Sequence, residues 1–321
     1  MLITLSVVIP VYNGEHSLPR LVQELAELSQ PNQSPNGIDY VVQEVFLVHD
    51  CGPDYSDKTI ESLAKQYSFI RPIWLTRNYG QHPATLSGMA SAISDWVVTM
   101  DEDGQQNPSD IGKMLDMALA GDFQIIYAQP ISPPPHGLIR NALSTIAKKL
   151  ALKFLGVRYQ TGVFNSFRLI DGEISRIIAA YCGDGVYLDV GLFWVAGRIG
   201  YCPVELRAEV RPSSYSFSKL FTHFWRMVLT SGTRPLRLIT LAGAFSLILS
   251  LLVFGYAFYG KFIAKTTVEG WTSILVIIAF FSGLIMVSLG VVAEYLALTM
   301  GIVMGKPLYV VASKPTRATK K

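Results

Sequence analysis

An α/β domain built on a mostly parallel sheet, followed by a two-helix transmembrane hairpin, is the architecture that this chain of 321 residues predicts. Three observations lead there. Apolar, β-branched runs alternate with segments of helical period over residues 4–101. Polar residues stand at the end of each run. Two uncharged stretches, 238–260 and 270–293, each exceed the roughly 20 residues that span a bilayer.

The first strand is "LSVVIPVY" (5–12). Leu18, Leu21, Val22, Leu25 and Leu28 then recur at helical spacing, so 17–28 is a helix. "EVFLVHD" (44–50) is the second strand, and 56–67 a helix. "FIRPIWLT" (69–76) is the third strand, and 83–93 a helix of small residues. "DWVVTMD" (95–101) is the fourth strand. In such a sheet ligands gather at the carboxyl ends of the strands. Those ends carry Tyr12 and Asn13, then Asp50, then Arg77 and Asn78, then Asp101 and Asp103. With no GxGxxG or P-loop pattern, this is not an obvious dinucleotide or ATP fold. Three widely spaced cysteines, Cys51, Cys182 and Cys202, form neither a metal pattern nor a disulfide framework. The opening "MLITLSVVIPVYNGE" lacks a basic leader and reads as a strand, not a signal peptide.

After the fourth strand comes "VVTMDEDGQQNPSDI" (97–111), with three adjacent carboxylates. If the chain stays extended, Asp101 and Asp103 share one side and Glu102 points away. Two carboxylates with Gln105 suit a hard divalent cation, Mg²⁺ or Mn²⁺, that takes its remaining ligands from water and phosphates. A solvated turn is the alternative.

Half of the residues are apolar, and the excess gathers after residue 236. Lys219, Arg226, Arg234 and Arg237 precede the first uncharged run; Lys306, Lys314, Arg317, Lys320 and Lys321 follow the second. The 261–269 link holds only Lys261 and Lys265. This bias puts the N-terminal domain and both termini in the cytoplasm, with the chain multi-pass in a membrane. The domains divide as 1–212 (α/β), 213–237 (interfacial), 238–295 (hairpin) and 296–321 (cytoplasmic tail). Residues 137–156 form a basic amphipathic helix that either rests on anionic lipid or packs on the domain.

The matching stretches are "VVIPVYNGE" (7–15), "VHDCGPDYS" (48–56), "RNYGQHPATLSGMASA" (77–92), the acidic segment, "SSYSFSKL" (213–220) and "AEYLALTMGIVMGKPLYVV" (293–311). With these the chain resembles the family 2 glycosyltransferases of GT-A fold, in their polyprenyl-phosphate branch. The resemblance implies an inverting, metal-dependent transfer of a sugar, with a UDP-hexose as the first donor to try, to undecaprenyl or another polyprenyl phosphate for cell-envelope glycans. It implies that Pro10, Tyr12, Glu15, Asp50, Asn78 and Asp101 bind the nucleotide and that Asp101, Asp103 and Gln105 bind the metal. Asp101, Asp103 and Arg168 make up the expected catalytic set.

Departures from the family are also legible. His49 stands where a second aspartate is usual, as a base contact or a satisfied histidine. "GVFNSFRL" (162–169) lacks the usual aspartate but keeps Arg168. A lipid phosphate is already ionised and needs no strong base, so the loss is tolerable. Asp184 and Asp189 are either substitutes for it or structural. The acceptor phosphate needs cations, for which Arg140, Arg168 and Lys219 are the candidates. The expected partners are a nucleotide-sugar donor, polyprenyl phosphate and membrane lipids, with no nucleic acid; a homo-oligomer is left open. A processive synthase is disfavoured by the missing QxxRW, and a silent membrane scaffold by the retained Asp50, Asp101 and Asp103.

Overall fold

The computed structural model describes residues 2–131, 165–183, 186–207 and 270–315, with isolated positions between 239 and 259. Its centre is β1 (Ile3–Val11), flanked by β3 (Asp39–His49) and β5 (Trp96–Thr99), both parallel to it. β4 (Ile70–Leu75) continues the parallel array beyond β3. On the other side, β7 (Arg168–Asp171) runs antiparallel between β5 and β6 (Ile125–Pro130), and β8 (Ile199–Val204) lies parallel to β6. The described order is β8-β6-β7-β5-β1-β3-β4-β9, where β9 is Val311–Ala312, with β2 (Asn32–Gln33) paired to β3. The sheet is thus mixed and mostly parallel.

Both faces of β1 are covered, which is why it reads as a continuous apolar run. Leu5, Val7 and Ile9 pack on one core with α1 (Leu18–Leu28), α2 (Ser56–Gln66) and α4 (Asp110–Gly121). Val8 packs on the other with α3 (Gln81–Ser91), α5 (Gly172–Tyr181) and α6 (Leu188–Val195). The small residues of α3 have a physical reason. A Cβ on Gly88 would lie 2.4 Å from a methyl of Val8, so the helix sits against the strand only because that position is bare. Asp171 ends β7 and caps α5, its Oδ1 accepting from the Glu173 and Ile174 backbone N–H groups. Such a cap contributes about 1 kcal/mol.

The first four predicted strands and three predicted helices are present, with β3 beginning earlier, at Asp39, and α3 at Gln81. Beyond β5 the differences grow. α7 (Trp271–Val303) runs beyond the expected end at 293. At 1.5 Å per residue its 33 residues measure about 50 Å. Its window Phe280–Ala297 has a mean hydropathy of 1.8 and none of it is buried, so this one described helix is long and apolar enough to cross a membrane. The first uncharged run, the 137–156 helix and the interfacial 213–237 segment lie outside the described residues, apart from the isolated positions. The segment after α7 returns to the sheet: β9 (Val311–Ala312) pairs antiparallel with β4, and Leu308 and Tyr309 pack on the second core.

Candidate active site

The carboxyl edge of the central strands is assembled by backbone donors meeting side-chain carboxylates. β1 ends at Val11, whose carbonyl accepts from the Asp50 N–H at 2.8 Å. The next two N–H groups, of Tyr12 and Asn13, donate to Glu102 Oε2 and Oε1, each at 2.9 Å. Glu102 therefore does not point away. β5 stops at Thr99 and the chain turns, with Gly104 at φ 73°, so the two-residue alternation ends before the carboxylates. Asp101 consequently faces inward, while Asp103 is exposed and accepts from the Gln105 N–H at 3.0 Å.

Several expected nucleotide residues serve this scaffold. Glu15 Oε2 accepts from the Tyr55 N–H, and its own N–H donates to Asp54. A Cβ on Gly52 would fall 1.6 Å from the Tyr12 carbonyl, so only glycine lets the loop after β3 close onto the end of β1. Asp50 is buried and accepts from the Tyr79 N–H at 2.7 Å and the Gly80 N–H at 2.8 Å. Burial pushes its carboxyl up to about 6, against the pull of those two N–H donors. Tyr12 and Asn78 are exposed at the same edge, Pro10 is half-buried one residue from the end of β1, and Arg77 lies over the Tyr79 ring. His49 is fully buried, edge-on to Trp74, and is no surface contact.

Asp101 is the hub. Its Oδ1 accepts from Gln81 Nε2 at 2.6 Å, and its Oδ2 from Gln106 Nε2 at 3.1 Å and from the Ser166 hydroxyl. Its own N–H donates to Gln106 Oε1. Burial raises its carboxyl above the usual range; the Ser166 hydrogen bond opposes this, and the Asp103 charge adds to it. Two mutually repelling carboxylates with nearby amide oxygens are a donor set that fits Mg²⁺ or Mn²⁺ sharing its shell with a diphosphate. No cluster of three or more His, Cys, Asp or Glu residues is in metal-binding array among the described residues.

Arg168 requires a correction. It was expected to meet a phosphate. Its Nε and Nη2 instead donate to Asp189 Oδ1 and Oδ2 at 2.7 and 2.9 Å, and its Nη1 to Thr99 Oγ1 and the Ser166 carbonyl. Tyr127 also donates to Asp189. Burial works against the guanidinium's charge, but Asp189 together with Tyr127 and Tyr187 outweighs it and the pKa is raised. Asp189 is thereby engaged by both Arg168 and Tyr127, and both Arg168 and Asp189 line the cavity described next. Arg140, Lys219 and Asp184 lie outside the described residues.

Beside Asp101 opens a cavity of about 190 Å³, walled by the first turns of α3, by Asn165 and Ser166, and by Tyr187. The sequence reading missed Gln81, His82, Gln106, Ser166 and Tyr187. All but Tyr187 lie inside stretches it quotes; polar residues there carry no charge signal.

The profile described as Glycosyl transferase family 2 matches residues 6–171 of the 321. An undecaprenyl-phosphate 4-deoxy-4-formamido-L-arabinose transferase of Pectobacterium carotovorum is 26% identical, covering 98% of this chain and 94% of that one. A prophage-derived bactoprenol glucosyl transferase of Shigella flexneri is also 26% identical, covering 96% and 97%. Among solved structures, mannosyl-3-phosphoglycerate synthase from Rubrobacter xylanophilus superposes with a TM-score of 0.49 at 14% identity, over 72% of this chain and 74% of that one.

Proposed function

The chain belongs to glycosyltransferase family 2, and from that premise we propose that it moves a sugar, with inversion, from a nucleotide-sugar to undecaprenyl or another polyprenyl phosphate. The donor we favour is a UDP-hexose and the fold type GT-A. The carrying observation is Asp101, held by Gln81, Gln106 and Ser166 at the mouth of a polar cavity on the carboxyl edge of the sheet. Support for the lipid acceptor comes from relatives matched over nearly their whole length whose names specify undecaprenyl phosphate or bactoprenol. The long unburied apolar helix supports it too.

Asp101, Asp103 and Gln105 would hold Mg²⁺ or Mn²⁺, which would supply Lewis-acid neutralisation of the departing nucleoside diphosphate. The protein's own contribution is orientation. Glu102 ties the end of β1 to the acidic turn, and Asp50 ties the end of β3 to the start of α3. Pro10, Tyr12, Glu15, Asp50 and Asn78 then border the nucleotide. An acceptor phosphate oxygen attacks the anomeric carbon opposite the diphosphate; the new C–O bond forms as the bond to the diphosphate breaks. The phosphate is already anionic, so no side chain need take a proton. Arg140 and Lys219 remain the proposed cations for it. The envelope role, the multi-pass inner-membrane topology with cytoplasmic termini and the domain limits given above belong to this reading.

A donor panel with a short polyprenyl phosphate, scored by the mass of the lipid product, tests it. Sugar transfer to water-soluble acceptors at equal rate would sink the lipid reading. Asp103→Ala should abolish turnover with folding and insertion intact; near-wild-type turnover would remove Asp103 from the metal set.

A further inference from the structure

The limb of the acidic turn that follows Gly104 is gripped from the carboxyl end of β8. That strand ends at Val204, and Arg207 stands just beyond it. The Arg207 backbone N–H donates to the Gln105 carbonyl at 2.9 Å. Its guanidinium joins α1 to the turn: Nη1 donates to Glu24 Oε1 and Oε2 at 2.9 and 2.7 Å, and Nη2 to Asn107 Oδ1 at 2.9 Å. Gln105 is thereby held on both sides, since its own N–H donates to Asp103 Oδ1 at 3.0 Å. Gly104, at φ 73°, puts the bend of the turn between Asp103 and Gln105. The Asp101 half is fixed separately, by Gln81, Gln106 and Ser166.

Asp103 is exposed, and the run of contacts from Glu24 through Arg207 and Gln105 ends on it. We propose that Arg207 is a positioning residue for the acidic turn: its fork, braced on Glu24, fixes Gln105 and Asp103 relative to Asp101. The proposal rests on the reading of those three residues as Mg²⁺ or Mn²⁺ ligands, and adds the residue that sets their spacing. A guanidinium suits the task because its planar fork meets Glu24 and Asn107 at once; an ammonium is a point charge without that geometry. The charge of Arg207 works in the opposite sense, because a cation near a divalent metal repels it. Loss of the charge alone would tighten metal binding. Loss of the positioning weakens it, so the sign of the change separates the two roles.

The test uses the full chain in nanodiscs, with Mn²⁺ and either UDP or GDP as probes. Free Mn²⁺ is read from its electron paramagnetic resonance signal, so no turnover is needed. Wild type should bind Mn²⁺ more tightly in the presence of at least one of the two nucleotides. Arg207→Ala should raise the Mn²⁺ dissociation constant of that ternary complex about tenfold, the lower end of what partners of metal ligands contribute. Arg207→Lys, which keeps the charge and loses the fork, should raise it by a smaller factor. Nucleotide affinity in EDTA should stay unchanged in both. The Arg207 side chain is 31% exposed, so Arg207→Ala should unfold close to the wild-type midpoint. Should it not fold, Arg207→Lys decides by the same readout. An unchanged or tighter Mn²⁺ constant in Arg207→Ala would overturn the proposal, as would an Arg207→Lys protein indistinguishable from wild type. An equal loss of nucleotide affinity in EDTA would make Arg207 a general brace of the sheet edge and overturn it too. A wild type whose nucleotide binding is indifferent to Mn²⁺ would instead bring down the metal reading, and this proposal with it.

Discussion

Arg168 and Asp189 have side-chain exposures of 5% and 1%, so removing either strands the other in the interior. Breaking such a pair from one side costs about 3–5 kcal/mol, because the remaining charge keeps its desolvation penalty. Arg168→Ala should therefore lower the unfolding midpoint of the full chain sharply. The joint replacement of Arg168 by Met and Asp189 by Leu should recover much of the loss. A stable Arg168→Ala protein that has lost only acceptor affinity would return the arginine to the phosphate. Asp50 gives a pH signature. Its carboxyl is raised to about 6 from an ordinary 3.8, so between those values the native state holds the proton more tightly than the unfolded chain. The stability this contributes is fully present below 3.8 and is lost as pH rises through 6, by roughly 3 kcal/mol. Asp50→Asn cannot titrate. The stability of wild type relative to this variant should fall from pH 4 to pH 7; a constant difference would mean that Asp50 ionises normally.

At the scale of elements, the two residues of β9 matter more than their length suggests. The Thr76 N–H donates to the Val310 carbonyl at 3.0 Å, and β9 covers the edge of β4. From Thr76 the chain passes through Tyr79 and Gly80, held by Asp50, to Gln81, which holds Asp101. The segment after α7 thus braces the loop that feeds the site. Deleting 306–321 should reduce turnover about tenfold, since partial burial of Leu308 and Tyr309 amounts to roughly 1–2 kcal/mol. Adding a peptide of residues 306–315 should restore part of it. Full activity in the truncated enzyme would make the tail a passive cover for a sheet edge. None of this was legible locally, because Val311 and Ala312 are a strand only where β4 offers an open edge. β1, β3, β4 and β5 were legible because burial on both faces writes itself as unbroken β-branched runs. The acidic turn was half legible. Its residue types announced chemistry, but the extended-chain rule that sent Glu102 outward lapsed where β5 ended at Thr99. The Arg168–Asp189 pair lay beyond any pattern, since its members come from β7 and α6.

For the whole molecule, the pairing of β9 with β4 bears on the proposed topology. If α7 crosses a membrane, this pairing puts its C-terminal end on the side of the catalytic domain, with residue 207, and its start at Trp271 on the far side. We propose that the uncharged run 238–260 then crosses as well and completes a hairpin, the orientation that the lysine and arginine bias also predicts. Thr266→Cys in intact cells should react with an impermeant maleimide applied from outside. Background should be low, because Cys51, Cys182 and Cys202 are all buried. Labelling only after the cells are opened would mean that 238–260 does not cross. α7 would then have to leave its C-terminal end across the membrane from β4, and the β4–β9 pairing would be lost with the hairpin.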